Sequence, residues 1–335
     1  MATAHDASDL VAGLLAGERV PLARAISAVE NEAPDAVGIL DACFERSGRA
    51  SRLGITGPPG AGKSTLVARL AREYRRRGET VGVVAVDPTS PFTGGALLGD
   101  RVRMSELAGD PGVFIRSMAS RGSSGGLAVH TAQVCDVLDA AGFSRILIET
   151  VGVGQSELEV AQTADSTAVV LVPESGDGVQ TMKAGLMEIG DLFVINKADR
   201  EGAERAAFAV RSALELRPAA AGGWIPPVLL TTASEGKGVD ELAETFERHV
   251  GHLKSHGGLA GRRRRRVEQR VRDLLRSQLW EEFEARVPER DWAAAVEALA
   301  AREITPHQAA QRLFRGFGAP DPRGGARART RSWGS

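Results

Sequence analysis

Residues 57–64 read GPPGAGKS, a full GxxxxGK[ST] pattern, and such a loop works only when a strand delivers the chain to it and a helix takes the chain away. The apolar run LGITG (53–57) ends where the loop begins, and an amphipathic helix is predicted over 63–77. The chemistry of the loop is direct. Gly57, Gly60 and Gly62 let backbone N–H groups curl around phosphate oxygens, and the helix N-terminus adds the positive end of its dipole. Lys63 reaches the β and γ phosphates and Ser64 can ligate magnesium, with Pro58, Pro59, Ala61 and Thr65 completing the phosphate-contacting stretch.

The rest of the chain repeats the strand-then-helix alternation. Short apolar runs stand at 53–57, 81–87, 145–150, 166–173, 191–199 and 226–233, and they show little polar alternation, as strands buried on both faces of a parallel sheet do. Helices are predicted at 63–77, 126–141, 179–188, 203–216 and 238–253. The expected fold is therefore α/β, a doubly wound, mostly parallel sheet over residues 51–255. Residues 1–50 read as a helical cap, with Leu10, Leu14, Leu15, Leu22, Ile26, Val29, Val37, Leu40 and Phe44 at helical spacings. SHGGLAG (255–261) reads as a linker, and residues 262–315 as a helical arm whose stripe Val267, Val271, Leu274, Leu275, Leu279, Phe283 and Val287 needs a partner surface. The Gly-, Pro- and Arg-rich residues 318–335 read as a disordered basic tail.

A chain of 335 residues with 43% hydrophobic and 25% charged residues can build at least one full core. No apolar run approaches the ~18 residues of a membrane span, and the acidic N-terminus does not read as a secretory signal, so a cytoplasmic protein with no membrane partner is expected. Cys43 and Cys135 lack metal-ligand or disulfide spacing and read as buried thiols. The chain has only five lysines, and Lys63, Lys183, Lys197 and Lys237 all lie in the loops that follow strands.

Those loops hold the remaining candidates. In NKAD (196–199), Asp199 can accept two hydrogen bonds from the ring N–H and amino group of guanine, a donor pair that adenine lacks. Asn196 can meet the other base edge and Lys197 can lie over the ring, so GTP and GDP are the expected ligands. TTASEGKG (231–238) can bring backbone N–H groups of Ala233 and Ser234 to the guanine carbonyl. Asp87, Asp100 and Glu149 stand at strand ends or in following loops, where carboxylates hold magnesium or orient water, although each also suits a helix cap. Gly152, in ETVGVGQSE, is placed for close approach to a γ-phosphate, and SGDGVQTMKAG (175–185) is a second polar loop carrying Gln180 and Lys183.

Taken in order, GPPGAGKST, VAVDPTSPFTGGALLGDRVRM, SRGSSGGL, ETVGVGQSE, GDGVQTMKAG and NKAD resemble the ArgK/MeaB/MMAA family of P-loop GTPases, over roughly residues 10–315. The resemblance implies a GTP-hydrolysing chaperone that gates adenosylcobalamin loading and protects an acyl-CoA mutase such as methylmalonyl-CoA mutase. It implies a homodimer of the signal-recognition/MinD-like class, with the C-terminal arm as the dimerisation element. It further implies that Ser64, Asp87 and Asp100 serve magnesium, that Glu149 is the Walker B-like acid, and that Gln180 and Lys183 lie in a switch loop responding to the mutase. Two other functions stay open: an arginine- or ornithine-type amino-acid kinase, and a nickel-type metallochaperone.

Two weaker features complete the reading. His249, His252 and His256 share one helical face and have metal-ligand spacing, but cationic histidines also suit a helix C-terminus. The run Arg262–Arg266 could meet RNA or acidic lipid; with aromatics at only 4% of the chain it reads instead as a solvated helix start or a dimer or partner contact, and nucleic acid is not an expected partner.

Overall fold

A computed structural model describes residues 4–88, 107, 109–120, 126–150, 156–173, 184–216 and 223–318. Its centre is a seven-stranded sheet: β1 (Ser51–Thr56), β2 (Val81–Pro88), β3 (Val113–Ser120), β4 (Arg145–Thr150), β5 (Ser166–Leu171), β6 (Leu192–Asn196) and β7 (Val228–Thr231). The spatial order is β3-β2-β4-β1-β5-β6-β7 and every pairing is parallel. All carboxyl ends therefore point one way, and β1, which feeds the glycine-rich loop, lies between β4 and β5.

Helices cover both faces, which is why the strands read as unbroken apolar runs. Alternate residues Leu53, Ile55, Val81, Val83, Val170 and Val194 pack with α4 (Lys63–Arg76) and with Leu242 and Phe246 of α9 (Val239–Ser255). The opposite residues of β2 and β4, Val84, Val86, Ile146 and Ile148, meet α5 (Gly126–Ala140), and those of β5 and β6 meet α8 (Ala203–Glu215). Two shorter helices, α6 (Ser156–Thr163) and α7 (Ala184–Ile189), precede β5 and β6.

The N-terminal residues form α1 (Ala4–Leu15), α2 (Arg19–Glu30) and α3 (Ala36–Phe44), and they share a core with α5 and the sheet through Leu10, Leu14, Leu22, Ile26 and Val29. The face of α3 differs from the expected one. Ala36, Ile39 and Cys43 are buried, whereas Val37 and Phe44 are exposed. The strand β3 is not legible from the apolar pattern, because it is a sheet edge carrying Arg116, whose guanidinium pairs with Glu30 and bonds Ser27 on α2. Both cysteines are buried and free, and burial pushes the Cys43 thiol up to about 11.

The expected linker at 255–261 is instead a two-residue turn. His256 and Gly257 separate α9 from α10 (Gly258–Arg286), because Gly258–Gly261 are helical and Leu259 is buried. After it come α11 (Glu289–Ala300) and α12 (Pro306–Gly318). The chain divides into two compact units, Met1–Gln269 and Arg270–Ser335. The second has its own small core of Val287, Ala295, Ala309 and Leu313 with Phe283, Trp292 and Phe317 packed against it. No helix of the described residues is long and apolar enough to cross a membrane.

Three members of the arginine run bind carboxylates at the amino end of the sheet, while Arg264 and Arg265 are exposed. Asp165, just before β5, has no exposed surface and accepts from Arg263 at 2.8 Å, from Arg266 at 3.0 Å and from the Arg52 amide at 3.1 Å. Asp191, just before β6, receives both terminal nitrogens of Arg262 at 2.8 and 2.7 Å and the Thr167 amide at 3.0 Å. Burial alone would raise the Asp165 carboxyl, but the Arg263 hydrogen bond and the Arg266 and Arg263 charges outweigh it and hold the group below its ordinary value. That stabilisation is present above the unfolded carboxylate pKa of ~3.9 and is lost as pH falls through the lower folded value.

Asp165→Ala should therefore lower unfolding free energy by about 3 kcal/mol, because it removes a buried carboxylate's pairing with the partly buried Arg263 and Arg266. Arg290→Ala, which removes an exposed 3.7 Å pair with Asp291, should cost less than about 1 kcal/mol. Urea unfolding of both variants at neutral pH decides this, and equal midpoints would contradict the role given to Asp165.

Candidate functional site

The loop 57–62 leaves β1 and enters α4 at Lys63, as the sequence requires. Two of its glycines are needed for close approach. At Gly57 (φ 139°) a Cβ would lie 2.1 Å from the Val170 carbonyl oxygen, and at Gly62 (φ 87°) it would lie 2.5 Å from Asn196 Nδ2. Neither position tolerates a side chain, so the loop is pressed against β5 and against the end of β6.

Lys63 is buried and its ammonium donates to the carbonyl oxygens of Gly57 at 2.8 Å and Pro58 at 3.0 Å. The loop thus carries its cation on its own inner carbonyls. Leu66 N–H makes the first turn's bond to the Gly62 carbonyl at 3.0 Å, which sets the start of the helix at the loop. Ser64 Oγ donates to Glu149 Oε1 at 2.6 Å, and Glu149, on β4, is 2% exposed. Behind them Thr56 and Thr150 share a buried hydroxyl contact of 3.1 Å, which ties β1 to β4 at their carboxyl ends.

Asn196, expected at the base edge, is anchored on three sides by the protein itself. Its Nδ2 donates to the Ala61 carbonyl at 2.8 Å, and its Oδ1 accepts from Thr231 Oγ1 and from the Ala233 N–H, each at 3.1 Å. The amide is a joint between the phosphate loop, β7 and the loop that follows β7. Because the Ala233 N–H is taken by Asn196, only the Ser234 N–H of the expected pair has no partner among the described residues. Lys197 takes a left-handed backbone (φ 58°) and its Cε lies about 4.0 Å from where a Gly62 Cβ would stand, so its stem crosses the phosphate loop. Asp199 is exposed two residues on, at the mouth of the same loop cluster.

Arg69, on α4, escaped the sequence reading. Its Nε donates to the Ala233 carbonyl at 3.1 Å and its Nη2 to the Ser234 carbonyl at 2.6 Å. In a chain rich in arginine on helices, nothing in the local pattern marks this one.

Asp87 closes β2 in register with Ala119, at the same carboxyl edge of the sheet as Glu149, but its side chain lies outside the described residues. Asp100, Gly152, Gln180 and Lys183 also lie outside them. The histidine trio is not brought together as a chelate. His249 is buried with Nδ1 2.7 Å from Ser166 Oγ, and burial pushes its imidazole down to about 4 against the pull of Asp191, while His252 stacks on His256 at 4.2 Å. Trp224 lies against both His249 and His252 and donates its indole N–H to the Asp191 carbonyl, which completes a packed aromatic cluster at the end of α9. No group of three metal-binding side chains is found among the described residues.

A glycine-rich loop, a buried lysine, a Ser–Glu pair and an NKAD loop converge on one end of a parallel sheet. Residues 22–287 match the family described as methylmalonyl-CoA mutase-associated GTPase MeaB. The chain belongs to the MeaB family. It is a GTPase with the P-loop fold, and guanine nucleotides are its ligands. A Pyrococcus abyssi protein named as a GTPase is 46% identical over 309 residues, covering 92% of this chain and 95% of its own. The mouse mitochondrial methylmalonic aciduria type A homolog is 32% identical, over 92% of this chain and 79% of its own. Among solved structures, a LAO/AO transport system kinase superposes with a TM-score of 0.74 at 28% identity, covering 95% of this chain and all of that one.

The Gly62 contact predicts a specific loss in this GTPase. Gly62→Ala drives a methyl group into Asn196 Nδ2, so GDP affinity should fall at least about tenfold. Gly251→Ala, in open space within α9, should leave affinity unchanged and add about 0.5–1 kcal/mol of stability. Calorimetric titration with GDP checks both, and near-normal affinity in Gly62→Ala would show that the joint does not govern binding.

Proposed function

We propose that this MeaB-family GTPase is a chaperone of an adenosylcobalamin-dependent acyl-CoA mutase, working in the cytoplasm: it binds the mutase, gates loading of the cofactor and protects it once loaded. The observation that carries the reading is the family match over residues 22–287, since the family is described by its association with methylmalonyl-CoA mutase. The mouse relative, named for methylmalonic aciduria, supports the same reading.

The site supports the nucleotide half of the proposal. Asp199 reads the N1–H and amino group of guanine, while Lys63 and the helix N-terminus hold the phosphates. Magnesium fits the Ser–Glu pair: the Ser64 proton is already taken by Glu149, which leaves the hydroxyl lone pairs for a cation, and Asp87 and Asp100 are the further carboxylates proposed to hold it. Bound there, the ion would neutralise charge developing on the phosphate oxygens. Glu149 orients the Ser64 hydroxyl, and Lys63, held on the loop carbonyls, is the cation proposed to meet the phosphates. Gly152 gives the γ-phosphate close approach, and Gln180 and Lys183 answer to the mutase.

The arm over residues 262–315 is proposed as the dimer contact. Val271, Leu275 and Leu279 recur at i, i+4 and i+8 on α10 and are half exposed, at 50%, 52% and 58%. Covering a large apolar side chain contributes about 1.5–3 kcal/mol, so such a row favours a second copy over water.

The test is single-turnover GTP hydrolysis with and without a purified adenosylcobalamin-dependent acyl-CoA mutase of the same organism. Wild type should be slow alone and rise on mutase addition, and Lys183→Ala should lose the rise while keeping the basal rate, because a cation delivered to the γ-phosphate is worth about 10³–10⁵ in rate. Full stimulation of the variant would remove the switch role from Lys183. No change of rate or nucleotide affinity on adding mutase would remove the chaperone reading, and transfer of labelled phosphate to arginine or ornithine would establish the kinase function that the name of the LAO/AO structure carries.

A further inference from the structure

The loop after β7 is gripped from two sides. On one side Asn196 Oδ1 holds the Ala233 N–H. On the other, Arg69 forks across two consecutive carbonyls, Ala233 at 3.1 Å and Ser234 at 2.6 Å. The loop is otherwise a tight turn closed on itself, with Thr232 N–H to the Lys237 carbonyl at 3.1 Å, Glu235 N–H to the Thr232 carbonyl at 3.0 Å and Gly236 N–H to the Ala233 carbonyl at 3.3 Å. Arg69 thus adds a side-chain hold on a carbonyl that the turn also engages and, among the described residues, alone holds that of Ser234.

A trans peptide puts its C=O and its N–H on opposite sides. Fixing the Ala233 carbonyl toward α4 therefore fixes the Ser234 N–H of the same peptide unit away from α4. That N–H is the one donor of the pair without a partner among the described residues. An arginine suits this work because its planar guanidinium stays charged and offers two parallel donors at fixed spacing, whereas an ammonium offers a single rotatable point. The same helix begins at the phosphate loop, with Arg69 six residues after Lys63.

We propose that Arg69 is a positioning residue for base selection: by holding the Ala233 and Ser234 carbonyls it aims the Ser234 N–H at the oxygen on position 6 of the purine, so that preference for 6-oxopurine nucleotides is set by the helix that carries the phosphate loop. The inference rests on the guanine reading of the NKAD loop and adds to it the carbonyl oxygen beside the N1–H. Arg69 touches no nucleotide atom in this account and acts through a backbone amide.

The measurement is the affinity of wild type, Arg69→Met and Arg69→Lys for three diphosphates: GDP, ADP and 2-aminopurine riboside diphosphate, which keeps the amino group of guanine but has no oxygen at position 6. Wild type should prefer GDP to ADP by at least about tenfold, since a site built to pair with a polar group rejects a base that lacks it. Arg69→Met keeps the length of the stem and removes the donors. It should weaken GDP by about tenfold and the 2-aminopurine nucleotide by less than about twofold, so that the GDP to ADP ratio collapses. Arg69→Lys, which can serve one carbonyl at a time, should fall between and gives a second reading if the methionine variant does not fold. Equal weakening of all three ligands would mean that Arg69 only braces the fold, and would overturn the inference while leaving guanine recognition in place. A wild type that binds GDP and ADP alike would overturn both.

Discussion

One buried amide holds the nucleotide end of this molecule together. Asn196 commits both ends of its side chain to backbone and hydroxyl groups of three separate segments, the phosphate loop through Ala61, β7 through Thr231 and the following loop through Ala233. A buried polar group left unmade costs about 1–3 kcal/mol, so removing this side chain would strand three partners at once. Because Gly62 leaves no room for a side chain between loop and amide, the contact is also a spacing rule. The phosphate loop lies where Asn196 puts it.

The other end of the sheet is governed by charge. Asp165 is fully buried and Asp191 nearly so, and desolvating such carboxylates costs several kcal/mol each unless good geometry offsets it. Here the offset comes from arginine forks in the first turns of α10, with Arg262 taking both oxygens of Asp191. Lysine would not serve, for want of the planar fork. This gives a physical reason for the division of basic residues: arginine does the structural pairing here, and among the described residues Lys63, Lys197 and Lys237 stand at or after the strands' opposite ends.

Much of this is readable in advance, for reasons tied to particular residues. The strands buried on both faces announce themselves because no polar residue interrupts Leu53–Ile55, Val83–Val86 or Ala168–Leu171, and the glycine-rich loop fixes which strand leads to which helix. β3 does not announce itself, since an edge strand with Arg116 facing a helix has no continuous apolar run. In α3 two apolar faces compete at helical spacing, and only tertiary packing selects Ile39 and Cys43 over Val37 and Phe44. At the site, motif spacing names Lys63, Ser64 and Asn196, but the use of Asn196 as a joint and of Arg69 as a fork depends on residues 35 and 164 positions away, which no local pattern contains. The arginine run misleads for the same reason, as its acidic partners lie about 70 to 100 positions upstream.

These long-range contacts have a consequence for binding. Ordering side chains and loops weakens a ligand's affinity, by about 0.5–1.5 kcal/mol for each mobile side chain. In this protein the loop after β7 is bound to α4 by Arg69 and to the phosphate loop through Asn196, contacts the chain makes with its own groups, so folding itself orders the loop. The distance between the phosphate loop and the backbone proposed to read the base is then set by these contacts. In the proposed reading, a nucleotide with the right phosphates and the wrong base cannot draw the loop toward itself without breaking these contacts, and that resistance would turn two separate recognition elements into a single selective site.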